Sequence, residues 1–106
     1  MGRDLKELSS LMDQFVSEKG WYSDKSQRPQ TAKNIAISLV LEANEVLEQF
    51  QWKEEIKDQD ALALELADVA LYLLQLARIS KVDLEQAILD KLSINHQRRW
   101  DQSTVK

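Results

Sequence analysis

Cysteine is absent from this 106-residue chain. That excludes a disulfide framework, a zinc-thiolate site and a cysteine nucleophile. Glycine occurs only at Gly2 and Gly20 and proline only at Pro29. So few chain breakers favour long helices over a strand-rich fold. No apolar run approaches the roughly 18 residues of a membrane span. The opening "MGRDLKELSS" carries charges at once and has no apolar h-region, so neither a signal peptide nor an anchor is expected. It also lacks the Ser or Thr of a myristoylation start. A cytoplasmic protein is the expectation. Basic excess is missing too: 18 acidic against 14 basic residues give a net charge of −4. Such a balance does not support binding of nucleic acid through a basic face. It still admits nucleotides, which reach acidic sites through divalent metal.

What remains is helix-forming. Hydrophobic residues make up 43% of the chain and charged residues 30%, and the length suits a single domain over residues 1–106. Leu5, Leu8, Leu11, Met12, Phe15 and Val16 recur at helical spacing, which predicts a helix from Leu5 to Lys19 stopped at Gly20. The polar connector "WYSDKSQRPQT" follows. Thr31 can cap a second helix over Ala32 to Gln51. Asp60 can open a third that runs to Ile79, and Asp83 can cap a fourth that reaches Trp100 before "DQSTVK". The third helix reads "ALALELADVALYLLQLA". A helix with so little polar surface must be covered on more than one side. A chain of this length buries only about two-thirds of its unfolded surface. The second and third helices are therefore expected to pack against another subunit as well.

Within these two apolar helices lie two pairs of acids, Glu42 with Glu45 and Glu65 with Asp68. Each is an i, i+3 pair, so its members share one helix face. If the helices form an antiparallel hairpin, Glu42 meets Asp68 and Glu45 meets Glu65, because both cross-pairs centre on residue 55. Four ionised carboxylates inside a bundle would repel one another and lose hydration. A divalent cation resolves the conflict, and an all-oxygen set suits Mg²⁺, with Mn²⁺ as the alternative. Two other readings exist. The acids could be solvated charges on exposed faces. A di-iron bundle would need Glu-x-x-His on two helices, and the lone His96 lies in no such motif.

The segments "LEANEVLEQFQW", "ELADVALYLLQLA" and "KLSIN", spread between Phe15 and Trp100, resemble the MazG-like all-α nucleoside triphosphate pyrophosphohydrolases. The resemblance is closest to small single-domain members such as the dCTP pyrophosphatases. It implies an all-α, four-helix bundle-type fold with a central antiparallel hairpin and the fourth helix across it. The assembly it implies is a homo-oligomer, a dimer or a tetramer built from dimers, with the tetramer favoured. The implied reaction is hydrolysis of a (deoxy)nucleoside triphosphate, with dNTPs favoured, to the monophosphate and pyrophosphate. Such an activity would clear unwanted nucleotides from the pool. Glu42, Glu45, Glu65 and Asp68 are then the catalytic metal ligands. Some relatives have a further Glu where this chain has Leu41.

By the same resemblance, Lys91 and Asn95 hold the triphosphate, while as residues alone they read equally as exposed side chains. Arg98 and Arg99 either extend that positive rim or are solvated. Trp21 and Trp52 match positions that contact the base, where stacking contributes roughly 1–3 kcal/mol; the alternative is core packing. Tyr72, one turn past Asp68, faces substrate or packs with its hydroxyl satisfied. Phe15 lines the base pocket or the core. Met12 replaces a polar, base-contacting residue of some dCTP-directed relatives, and Asn34 either caps a helix or touches substrate. The first helix and the Trp21 connector are expected to close over a neighbour's nucleotide. The competing function is a non-catalytic helical module that binds a nucleotide or a partner helix.

Overall fold

Every helix among the described residues begins where a side-chain oxygen takes up an otherwise orphaned backbone N–H. In the computed structural model, which describes residues 2–50, 52 and 54–98, α1 spans Leu5–Glu18, α2 Ala32–Glu48, α3 Gln59–Ile79 and α4 Leu84–Gln97. Asp4 caps α1 in a reciprocal box: the Glu7 N–H donates to Asp4 Oδ1 at 2.9 Å, and the Asp4 N–H to Glu7 Oε1 at 3.3 Å. Thr31 caps α2 and Asp83 caps α4, as expected. Asp58, not Asp60, caps α3, through the Ala61 N–H at 3.1 Å. Asp60 lies in the first turn of α3, where its charge favours the helix dipole. Each such cap contributes about 1 kcal/mol.

The helix ends are equally local. Gly20 adopts φ 73°, and the N–H groups of Gly20 and Trp21 donate to the carbonyls of Ser17 and Val16. This is a Schellman motif, which favours glycine at the left-handed position and turns Trp21 back onto α1. Lys81, at φ 59°, makes the same closure after α3: Lys81 and Val82 donate to Arg78 and Ala77. The expected ends at Gln51 and Trp100, the "DQSTVK" tail and the Arg99 assignment lie outside the described residues.

Among the described residues the secondary structure is helical throughout, with no strand. The most extensive helix contact is α2 with α3, followed by α1 with α3. Gln75 near the end of α3 bonds to Gln30 just before α2, while Glu45 and Glu65 meet nearer the connector, so α2 and α3 run antiparallel. Met12, Val16 and Leu74 form the core, with Leu5, Trp21 and Leu84 packed around it. One departure from expectation is plain. Helix α4 does not bury any of its own side chains; it joins the rest chiefly through Leu84 at its start. Helix α1 packs on α3 of its own chain, where the core residues Met12 and Val16 meet Leu74.

Much apolar surface is left uncovered by one chain. Val40, Leu41 and Leu47 on α2 and Leu64 on α3 are each more than 60% exposed. Ile88, Leu89, Leu92 and Ile94 on α4 are exposed as well. The radius of gyration is 16.7 Å, against about 13 Å for a compact domain of this length. No helix of the described residues is long and apolar enough to cross a membrane.

Candidate metal and nucleotide site

Antiparallel packing of α2 on α3 brings together carboxylates whose sequence spacing already placed them on facing stripes. Oxygens of Glu42, Glu45 and Glu65 lie within 4.8 Å of one another. Asp68 stands one turn along α3 from Glu65. It is outside that trio, yet near enough to act electrostatically on Glu42 and Glu65. Glu42 Oε2 is shielded from solvent and lacks a hydrogen-bond partner. The Glu42 pKa is pushed up to about 7 by its hydrogen bond with Glu45, by partial removal from water, and by the charges of Glu45, Asp68 and Glu65. Glu65 is also raised, first by lost hydration and then by Glu45.

An all-carboxylate set with an orphaned buried oxygen is what a hard divalent cation would satisfy. Exposed acids cluster without one too, but the unpartnered Glu42 oxygen is costly unless something positive reaches it.

The cluster opens onto a cleft of about 500 Å³ bounded by Glu42 and Asp68 at one side and by Met12, Phe15, Trp21, Tyr72 and Gln75 elsewhere. That volume falls within the usual range for small-molecule sites. The Phe15 and Trp21 rings meet edge to face, 5.6 Å apart at 87°. The Arg28 guanidinium lies over Trp21 at 5.4 Å, and Lys19 Nζ over Phe15 at 5.7 Å. A second cleft of about 400 Å³ shares Trp21, Tyr72 and Gln75 and adds Arg28, Gln30 and Asn34. Trp21, Tyr72 and Phe15 therefore line one cleft together with Glu42 and Asp68. They stand beside the acids of their own chain.

Other expected residues are placed elsewhere. Trp52 is 92% exposed at φ 70° in the connector and lines neither cleft, so core packing is excluded within this chain. Lys91 is exposed and Asn95 half-buried on α4, and neither borders these clefts. Helix α4, which carries both, buries no side chain of its own. Asn34 spends its Nδ2 on the Pro29 carbonyl at 3.0 Å, which supports the helix-end role. Met12 is buried at 4% in the cleft wall.

Several residues near the clefts escaped sequence reasoning. Asp13 pairs with Arg78 and accepts from the Tyr22 hydroxyl at 2.7 Å. Burial, the Asp13 hydrogen bond and the Asp13 charge push the Tyr22 pKa up to about 12. Gln75, 4% exposed, donates to Gln30. A lone uncharged polar residue in "ALYLLQLA" was the only available signal for Gln75, and nothing local marks its partners.

The chain is 35% identical to the dCTP pyrophosphatase 1 of Mus musculus, an alignment covering 89% of this chain and 58% of the relative. It is 34% identical to the proteins of the same name from Rattus norvegicus and Homo sapiens, with the same coverage. It thus spans about 58% of the length of the curated relatives it matches. The model of the MazG-like family matches residues 37–104, a stretch that holds both carboxylate pairs and all of α3 and α4. Paired acids on two antiparallel helices and a match over most of the chain agree: this protein belongs to the MazG-like family.

Proposed function

We propose that the protein hydrolyses (deoxy)nucleoside triphosphates to the monophosphate and pyrophosphate. The observation that carries this reading is the carboxylate trio, with its orphaned Glu42 oxygen, at the mouth of an aromatic cleft. Glu42, Glu45, Glu65 and Asp68 would hold the metal, Mg²⁺ or Mn²⁺. Such a cation, when bound, neutralises phosphate charge and lowers the pKa of an attacking water. The protein's own groups do the rest. One of the four carboxylates orients the water toward the α-phosphorus, with pyrophosphate as the leaving group. Trp21 stacks on the base, Phe15 supports it edge-on, and Tyr72 meets the sugar or base. The relatives named as dCTP pyrophosphatases favour a deoxycytidine nucleotide. The role in the cell would be removal of unwanted nucleotides, in the cytoplasm.

The uncovered apolar faces of α2, α3 and α4 support a homo-oligomer, a tetramer made of two dimers. Assembly would also answer where Lys91, Asn95 and Trp52 act. Carried on α4 and on the exposed connector, they would reach the carboxylates of another copy. Lys91 would then serve the phosphates as a point charge and Asn95 as a directed donor.

The test is release of products from a panel of dNTPs and NTPs with Mg²⁺ and with EDTA. Pyrophosphate plus monophosphate, only with metal, is expected. Orthophosphate would put the attack at the terminal phosphate and overturn the reaction type. No turnover by a folded oligomer would return the protein to the class of binding modules.

A further inference from the structure

Gln75 is the buried polar residue of the described structure, and its partner dictates which way its amide points. Gln30 Nε2 donates to the Arg28 carbonyl at 2.6 Å. A backbone carbonyl can only accept, so Gln30 must turn its own oxygen toward Gln75, whose Nε2 donates to it. On the other side Tyr22 gives its single hydroxyl hydrogen to Asp13 Oδ1, and Asp13 is held by Arg78. Gln30 thus turns Gln75 Nε2 toward itself, and Oε1 is what the Gln75 amide offers to the cleft.

The position of that oxygen matters. Gln75 follows Asp68 by two helical turns, about 10 Å along the α3 axis. Such a distance spans the sugar and ring of one nucleotide whose phosphates lie at the carboxylates. Between these points the cleft wall is apolar apart from Tyr72. Met12, buried in the same wall, offers no strong hydrogen bond to a base.

We propose that Gln75 reads the far edge of a pyrimidine base, its Oε1 accepting from a 4-amino group and rejecting a 4-oxo group. Gln30 is the positioning residue that keeps the amide from flipping. The inference rests on the nucleotide reading above and adds the residue that distinguishes cytosine from uracil. Two facing acceptors leave both unsatisfied where the base displaces water, and Gln75 itself is buried, which is why a fixed amide discriminates.

The experiment compares dCTP with dUTP, as kcat/KM, in the wild type, Gln75→Met and Gln30→Leu. The wild type is expected to favour dCTP by about 100-fold or more. Gln75→Met, similar in length but apolar, should collapse that preference mainly through a higher KM for dCTP. Gln30→Leu keeps Gln75 but frees it to rotate, so activity on dUTP should rise as the preference narrows. A purely structural role would lower both substrates together, and that result, or an unchanged ratio in Gln75→Met, overturns the assignment. Calorimetric binding of dCMP and dUMP separates the two levels of the argument. A wild type that prefers dCMP, with the preference lost in Gln75→Met, keeps the assignment even if no triphosphate is hydrolysed. Fast hydrolysis with no difference between dCTP and dUTP keeps the reaction and sinks the assignment.

Discussion

Asp13 on α1 and Arg78 in the last turn of α3 form an ion pair that ties the first helix to the hairpin. The Asp13 side chain is only 17% exposed, whereas that of Arg78 is 58% exposed. The pair is thus intermediate between a solvated bridge and a buried one.

Asp13→Asn removes the charge opposite Arg78 and leaves one acceptor oxygen where Arg78 and the Tyr22 hydroxyl now use two. Asp13→Asn should cost about 1–2 kcal/mol, between the values for exposed and buried pairs. That corresponds to a melting temperature lower by roughly 4–16 °C. Calorimetry on Asp13→Asn, Arg78→Leu and the double variant checks this. The double variant should lose less than the sum of the singles; strict additivity would mean the two side chains are not coupled.

Glu42 makes the metal-free protein sensitive to pH in a direction opposite to an ordinary salt-bridged acid. Its pKa is near 7 in the fold against 4.5 for the free side chain. Between those values the folded state binds more protons than the unfolded, so stability falls as pH rises through that window. Glu65, raised as well, acts with the same sign. In EDTA the melting temperature should drop from pH 5 to pH 8 and then level. Glu42→Gln should flatten the curve, raise the metal-free midpoint at pH 8 and weaken Mg²⁺ binding. An equally steep decline in Glu42→Gln would remove Glu42 as the cause.

Trp21 is held by the Schellman turn at Gly20, by Phe15 and by Arg28. Replacement by Ala removes a stacking face worth about 1–3 kcal/mol, so the KM for nucleotide should rise about five- to 150-fold. Mg²⁺ binding, measured by calorimetry without nucleotide, should be unchanged because the ring does not belong to the carboxylate trio. Loss of metal affinity would show instead that Trp21 supports the acids.

A composite site can be tested by mixing. Lys91→Ala and Glu42→Gln should each abolish most activity alone. If α4 of one copy serves the carboxylates of another, exchanging subunits between the two variants regenerates some intact sites. Recovered pyrophosphate release is the expected result. No recovery, with subunit exchange verified by mass spectrometry, would confine the site to one chain.

Introducing a charge on the uncovered α2 face addresses assembly itself. Val40 is 68% exposed in the single chain. Val40→Glu should therefore shift the sedimentation profile toward smaller species and lower thermal stability. An unchanged profile would place the interface on another face.

Much of this protein was written locally. The helix starts at Thr31 and Asp83 and the stop at Gly20 are single-residue effects of capping oxygens and of a left-handed turn. The i, i+3 acids needed only helical periodicity to share a face, and their common centre at residue 55 needed only a hairpin. Where the reading slipped, a competing local signal was available: Asp58 and Asp60 are both capping residues, and the structure uses the earlier one.

The sequence by itself determined the four helices, the antiparallel acid pairs and the excess of apolar surface beyond what one chain can cover. Periodicity and capping depend on residues a few positions apart, so they are visible in a string. Tertiary structure alone decided that Glu42, Glu45 and Glu65 close up while Asp68 faces the cleft, and that Lys91 and Asn95 border neither cleft of this chain. It also decided the link from the Arg28 carbonyl through Gln30 to Gln75, and the meeting of Tyr22, Asp13 and Arg78. Hydrogen-bond direction is set by which partner can only accept, and those partners meet only once the helices have packed.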